Sequence, residues 1–84
     1  MKEDINCTEG ILGEMKLRPG FREFVVSSVT RFLVGDWGEV EPEEELHNRR
    51  NPMSALGAYT YCGEVKIYIK REGVSMRVFL PEEY

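Results

Sequence analysis

Glu64-Val65-Lys66-Ile67-Tyr68-Ile69-Lys70-Arg71-Glu72-Gly73-Val74-Ser75-Met76-Arg77-Val78-Phe79-Leu80-Pro81-Glu82-Glu83-Tyr84 closes the chain, and its reading decides the fold. Apolar residues alternate with polar ones on both sides of Glu72-Gly73, the pattern of two short strands joined by a tight turn. With Glu72-Gly73 as a two-residue loop, Ile69 faces Met76, Ile67 faces Val78 and Val65 faces Leu80. A slip of one residue would destroy every one of these apolar pairs. Treating Cys62-Gly63 as the preceding turn sets Thr60 against Val65, Ala58 against Ile67 and Leu56 against Ile69. The inner face is then expected to hold Leu56, Ala58, Thr60, Val65, Ile67, Ile69, Met76, Val78 and Leu80.

The opposite face is expected to collect Tyr59, Tyr61, Lys66, Tyr68, Arg77 and Phe79. In this register Tyr68 faces Arg77 and Lys66 faces Phe79, a geometry suited to cation–π contact across strands. Such a face has three uses: a self-contained surface ladder, a protein-interaction patch anchored on Tyr and Arg, or a stacking platform for single-stranded nucleic acid.

Upstream, Phe21, Phe24, Val25, Ser28, Val29, Phe32 and Leu33 recur at helical spacing and form one apolar stripe. They predict a long amphipathic helix over 21–34, opened by Pro19-Gly20 and ended by Gly35 in a left-handed cap. Residues 13–18 alternate weakly, with Met15 and Leu17 on one side, and suggest a charged edge strand. A second, shorter helix is expected to begin at Pro42, with Glu43, Glu44 and Glu45 complementing its dipole and Asn51-Pro52 stopping it. Trp37, between Asp36 and Gly38, reads as a lid on the core, with Asp36 capping the turn. The expected architecture is therefore α+β: a small antiparallel sheet of three to four strands with one long amphipathic helix packed on one face.

The chain has 84 residues, which allows a single domain, 1–84, with one modest core. At 42% hydrophobic and 31% charged it has the composition of a folded protein rather than a disordered one. A stability on the order of 5 kcal/mol is expected for this size, and a homodimer would be a natural way to bury more surface. There is no apolar run long enough to span a membrane and no signal-peptide core at residues 1–6, which predicts a cytoplasmic protein. Charge is uneven: eleven acids and five bases over 1–45, then four acids and six bases over 46–84. The net charge of −4 argues against nucleic acid as the default partner, although a local basic face can override the total.

Catalytic chemistry finds little support. His47 is the single histidine, set in the charged Glu43–Arg50 stretch, and a solvated surface position is expected for it. A metal site would need His47 with Glu43 or Glu44, without the second histidine that a zinc-protease helix supplies. The eight glycines are scattered at turns rather than gathered in a phosphate loop. Cys7 and Cys62 form neither a disulfide framework nor a zinc set, and their pairing stays open. The expectation is a non-enzymatic protein with no cofactor and no metal.

Taken together, Gly13-Glu14, Pro19-Gly20, Gly35-Asp36-Trp37-Gly38-Glu39, Asn48, Ala58-Tyr59, Lys66-Ile67-Tyr68-Ile69 and the terminal Leu80-Pro81-Glu82-Glu83-Tyr84 resemble a family of small phage- and plasmid-related proteins of bacterial mobile elements. The similarity covers residues 13 to 84, with departures at Arg71-Glu72-Gly73 and at Asn51-Pro52-Met53. The resemblance implies an accessory gene of a mobile element. In that setting small acidic proteins often occlude a host or defence enzyme, anti-CRISPR inhibitors among them. The expected function is thus a protein-interaction module that inhibits a nucleic-acid-targeting complex of the CRISPR type. It would bind a protein partner through Tyr59, Tyr61, Lys66, Tyr68, Arg77 and Phe79, or through the acidic 39–45 segment with Glu43, Glu44 and Glu45. Two alternatives stand beside it: a small nucleic-acid-binding regulator using the aromatic-basic face, and a structural or assembly component of a phage particle.

Overall fold

Thr8 sets the start of the fold. Its backbone is extended (φ −72°, ψ 169°), and its hydroxyl accepts a hydrogen bond from the Ile11 N–H, the work of a helix N-cap. The computed structural model describes residues 4–84. The expectation drawn for residues 1–3, as part of a leaderless N-terminus, lies outside them. Before Thr8 runs strand β1 (Asp4–Cys7), and after it helix α1 (Glu9–Leu17). The edge strand expected at 13–18 is therefore corrected to a helix. Ile11 and Met15 lie four residues apart on one face, and Ile11 is fully buried, whereas Leu17, read as a strand residue paired with Met15, is 77% exposed. An Arg18–Glu14 ion pair at 2.6 Å closes the last turn at the spacing of one helical turn.

Helix α2 (Phe21–Leu33) buries Phe21, Val25, Ser28, Val29 and Phe32, while Phe24 is half-buried and Leu33 exposed. It is a thirteen-residue helix, one of three α-helices among the described residues where two were expected, α1 being the addition. Gly35 at φ +87° ends it, with the Gly35 N–H donating to the Phe32 carbonyl and the Asp36 N–H to that of Arg31. These two bonds are the Schellman termination, and they turn the chain toward Trp37. Helix α3 (Pro42–Arg50) begins at Pro42 and is capped at Asn51.

A 3₁₀ turn (Pro52–Ser54) leads into β2 (Leu56–Tyr61), β3 (Val65–Glu72) and β4 (Ser75–Phe79), and a last 3₁₀ turn spans Pro81–Glu83. The sheet order is β1-β4-β3-β2. The sheet is mixed rather than antiparallel, because β1 runs parallel to β4 while the other two pairings are antiparallel.

Both hairpin registers differ from expectation, with different consequences. Between β3 and β4 the loop is Gly73-Val74, so Ile69 faces Val78, Tyr68 faces Phe79 and Lys70 faces Arg77. Gly73 has φ +68° and Val74 does not share it, the pattern of a II′ hairpin, which wants glycine at the first loop position. This two-residue shift leaves every side chain on its expected face. Between β2 and β3 the loop has three residues, Cys62-Gly63-Glu64, with Cys62 and Gly63 at positive φ (52° and 68°). That moves the register by one, setting Tyr59 against Ile67 and Ala58 against Tyr68. A shift of one residue inverts the strand. Gly57, Tyr59 and Tyr61 face the helices, and Leu56, Ala58 and Thr60 turn outward.

The core lies between the inner sheet face and helices α1 and α2. It gathers Ile11, Phe21, Val25, Val29, Phe32, Ala55, Tyr59, Ile67, Ile69, Met76, Val78 and Leu80. Trp37 packs against its margin, and the Asp36 carboxylate accepts the Gly38 N–H at 3.1 Å. Gly38 bridges to Ala58 at φ +73°, and a Cβ there would stand 2.1 Å from the Ala58 carbonyl oxygen, so only glycine fits. Among the described residues no helix is long and apolar enough to cross a membrane.

Candidate functional site

The outer face of the sheet keeps four of the six expected aromatic and basic residues: Lys66, Tyr68, Arg77 and Phe79. Tyr59 and Tyr61 are corrected to the inner face by the β2 register. Tyr59 is 1% exposed, donates its hydroxyl to the Asp36 carbonyl at 2.6 Å and lies under the Arg31 guanidinium at 5.0 Å from the ring centre. Burial pushes its hydroxyl well above the usual tyrosine range, with the Asp36 charge adding to the effect. Tyr61 packs edge-on against Phe21 at 5.3 Å and donates to the Pro19 carbonyl. Both tyrosines hold α2 and its flanking turns to the sheet.

Where two tyrosines leave, another arrives. Tyr84 stacks on the outer face, with ring centres 6.0 Å from Tyr68 and 5.4 Å from Phe79; Tyr68 and Phe79 are themselves 5.7 Å apart. All three pairs are tilted by 50–58°, the inclined arrangement that aromatic quadrupoles favour. Phe79 is fully buried beneath the cluster and Tyr84 is 77% exposed above it. Two cations flank the rings. The Lys66 Nζ lies 5.5 Å over Tyr68, and the Arg77 guanidinium 4.7 Å over Phe79. Among the described residues the buried Arg77 Nε has no hydrogen-bond partner, a desolvation cost of about 1–3 kcal/mol.

Tyr84 is placed by the residue before it. The Glu83 carboxylate accepts from the Thr8 hydroxyl (2.6 Å), the Leu80 N–H (2.8 Å) and the Gly10 N–H (3.0 Å). These donors, the Thr8 hydroxyl foremost, hold its pKa below the usual carboxylate range. The lock joins the N-cap of α1 to the C-terminal turn, and the Tyr84 N–H completes it by donating to the Pro81 carbonyl.

The expected acidic segment is divided by the helix that carries it. Glu43 is exposed to solvent, and Glu45 pairs with Arg49 at 2.7 Å beside Pro42 and Leu46. Glu44 turns to the sheet, where with Glu39, Glu41, Val40, Leu56, Ala58, Lys66 and Tyr68 it lines a cleft of about 180 Å³. The two candidate surfaces read from the sequence thus meet at Lys66 and Tyr68. Glu39 is fixed there by the Thr60 hydroxyl, which donates to it at 2.7 Å. Asn48, fully buried in α3, holds this wall: its amide donates to the Leu56 carbonyl (2.9 Å) and accepts the Leu56 N–H (3.0 Å).

Sequence reasoning missed Tyr84 and Asn48 as parts of this region, and took Glu39 only as part of the acidic 39–45 segment, apart from the sheet face. Each was visible in the strings quoted for the family resemblance, but their roles depend on contacts between distant segments. His47 is exposed, and its ring lies 3.4 Å from the Asn51 amide. Among the described residues no group of three His, Cys, Asp or Glu side chains is placed to hold a metal ion. Cys7 is half-buried in β1 and Cys62 exposed in the β2–β3 loop, both as free thiols. Compared with known proteins, the chain matches no family model, no curated protein and no solved structure.

Proposed function

We propose that the protein is a non-enzymatic interaction module whose outer sheet face binds a protein partner. The observation that carries the reading is the Tyr68–Phe79–Tyr84 cluster with Lys66 and Arg77 stacked on it. Displayed tyrosine rings, Tyr84 and part of Tyr68, backed by the buried Phe79 and with arginine at their edge, have the composition of interface anchors. Arg77 strengthens the case. Its buried Nε, without a partner among the described residues, makes the unbound state costly, and a partner carboxylate that draws the guanidinium over would recover that cost.

The acidic wall sharpens the choice of partner. Glu39, Glu41 and Glu44 stand beside the aromatic cluster, so a polyanion approaching Tyr68 meets three carboxylates. A protein segment carrying both charges, such as the rim of a nucleic-acid channel, satisfies the wall and the cations together. In line with the mobile-element resemblance, the reading taken furthest is an inhibitor that occludes a bacterial nucleic-acid-targeting complex of the CRISPR type.

Affinity capture from a host lysate tests this, with nuclease-treated and untreated arms and with wild type beside Tyr68→Ala/Arg77→Ala. The expected result is a stoichiometric protein partner that survives nuclease and is lost with the double variant. Recovery of nucleic acid alone would overturn the reading in favour of a nucleic-acid-binding regulator, whose affinity would fall steeply with salt. Charge reversal of Glu43, Glu44 and Glu45 to Lys separates the roles of the wall. Only Glu44 lines the cleft, so Glu44→Lys alone is expected to reproduce most of the loss.

A further inference from the structure

The two edges of the sheet are finished differently. Along the outer edge of β2 the backbone groups of Leu56 and Ala58 are satisfied. Leu56 bonds in both directions to the Asn48 side chain, and Ala58 donates to the Trp37 carbonyl (3.0 Å) and accepts the Glu39 N–H (2.8 Å). Among the described residues the edge made by β1 has no such cover. The Asp4 N–H donates to the Val74 carbonyl and the Thr8 N–H to that of Val78, so Asp4, Asn6 and Thr8 turn their backbone groups to β4. Strand geometry alternates, and the N–H and C=O of Ile5 and Cys7 therefore point away from the sheet. Among the described residues no strand lies beyond β1. An open row of donors and acceptors is a template for another strand.

Beside this edge lies a mostly apolar cleft of about 220 Å³ between β1 and the helices, lined by Ile5, Cys7, Met15, Val25, Val26 and Val29 together with Arg22 and Thr30. Ile5 and Val26 are 47% and 60% exposed, so the same margin of the molecule offers unpaired backbone and uncovered apolar side chains.

We propose that two copies of the chain associate through this edge, β1 against β1 in antiparallel register about a two-fold axis at Asn6. Ile5 of each copy then faces Cys7 of the other, and all four outward N–H groups find an outward carbonyl. This register also sets Asp4 opposite Thr8 and keeps the two Asp4 carboxylates apart, which pairing centred on Asp4 would not. Because an antiparallel two-fold stands normal to the sheet, both helical layers fall on one side. Ile5 and Val26 of the two copies come together over the joined clefts, and the result is a continuous eight-stranded sheet. Both outer faces, with their Tyr68–Phe79–Tyr84 clusters, are displayed on the same side. A partner with two sites would thus be held bivalently.

Sedimentation velocity of the full chain over a wide concentration range tests the proposal, paired with amide hydrogen exchange at the two ends of that range. The weight-average mass is expected to climb from one 9.7 kDa chain toward twice that value. The Ile5 and Cys7 amides should gain protection as it does, while those of Asn6 and Thr8 are protected throughout. Val26→Glu leaves the backbone untouched at an exposed position and should weaken association about tenfold or more. Cys7→Pro removes one outward donor and should act in the same direction. A chain that sediments as a monomer throughout overturns the proposal. So does a dimer whose Ile5 and Cys7 amides stay open, or one that Val26→Glu leaves intact.

Discussion

Replacing Asn48 with alanine should cost this protein a large share of its stability. Asn48 is 0% exposed and its amide makes two hydrogen bonds to one residue, Leu56, at 2.9 and 3.0 Å. Alanine removes both and leaves the Leu56 N–H and C=O without partners. Each orphaned group costs about 1–3 kcal/mol when fully buried. Leu56 is itself half-buried, so water reaches part of the gap and the low end of the sum applies. A loss of about 2–3 kcal/mol follows, set against roughly 4–12 kcal/mol for a domain of this length. In urea followed by circular dichroism, the midpoint should fall while the slope stays unchanged, since the surface exposed on unfolding is the same. The melting temperature should drop by about 10–20 °C. Asn48→Asp keeps an acceptor for the Leu56 N–H but turns a second lone pair on the Leu56 carbonyl, and at neutral pH it should be no more stable than the alanine variant. His47→Ala, one residue away and exposed, should stay within about 0.5 kcal/mol of wild type. If Asn48→Ala behaves like His47→Ala, α3 is not fastened to β2 in the way described, and the acidic wall loses its support.

Gly10→Ala sets two effects against each other: alanine gains about 1 kcal/mol in helix propensity, but its Cβ would stand 2.6 Å from the Glu83 Oε2 and 2.8 Å from the Leu80 Cδ1. Net destabilisation of about 1–2 kcal/mol is expected, and a more stable variant in a thermal melt would contradict the Glu83 lock. Glu83→Gln tests the same lock through pH. The folded pKa of Glu83 is lowered, so its contribution is present above the ordinary glutamate range and fades as pH falls through the lowered value. The stability gap between wild type and Glu83→Gln should therefore shrink from neutral pH into the acid range, and a gap that widens on acidification would refute it. Tyrosine nitration followed by peptide mapping checks the β2 register: Tyr84 should react readily and Tyr59 should be spared. Under the register read from sequence alone, Tyr59 would react as well.

What the sequence disclosed and what it withheld divide along physical lines. The α2 stripe and the alternation of β3 and β4 are local patterns, and Pro42, Asn51 and Gly35 are local stop and start signals; all of these were legible. The β2 register was not. It turns on whether the chain reverses in two residues or three at Cys62-Gly63-Glu64, and that depends on Cys62 adopting φ +52°, a conformation for which a cysteine side chain gives no signal. One residue of loop length moved Tyr59 and Tyr61 from a candidate surface into the core side of the sheet. β1 was hidden for another reason. Asp4-Ile5-Asn6-Cys7 is too short to show a period, and its strand character comes from β4, about seventy residues away. The helical character of 9–17 was readable from the Thr8 cap and the Ile11–Met15 spacing, but the alternation of Met15 and Leu17 competes with that signal.

Thr8 ties the two proposed surfaces together mechanically. Its N–H closes the β1–β4 ladder, its hydroxyl oxygen caps α1, and its hydroxyl proton goes to Glu83, the residue before Tyr84. The open edge of β1 and the exposed ring of Tyr84 therefore share one anchoring residue, although they lie on different margins of the sheet. Pairing at β1 would restrain the Asp4–Thr8 backbone and, through the Thr8 hydroxyl, the orientation of the Glu83 carboxylate and the ring that follows it. Coupling of this kind needs a contiguous set of bonds with few soft links. Here it runs through two hydrogen bonds, Thr8 to Val78 at 3.1 Å and Thr8 to Glu83 at 2.6 Å. Thr8→Val keeps the first and deletes the second, along with the cap on the Ile11 N–H, at a cost of about 1 kcal/mol. It should thus leave association at β1 intact while loosening Tyr84 from Tyr68 and Phe79, separating the edge from the face.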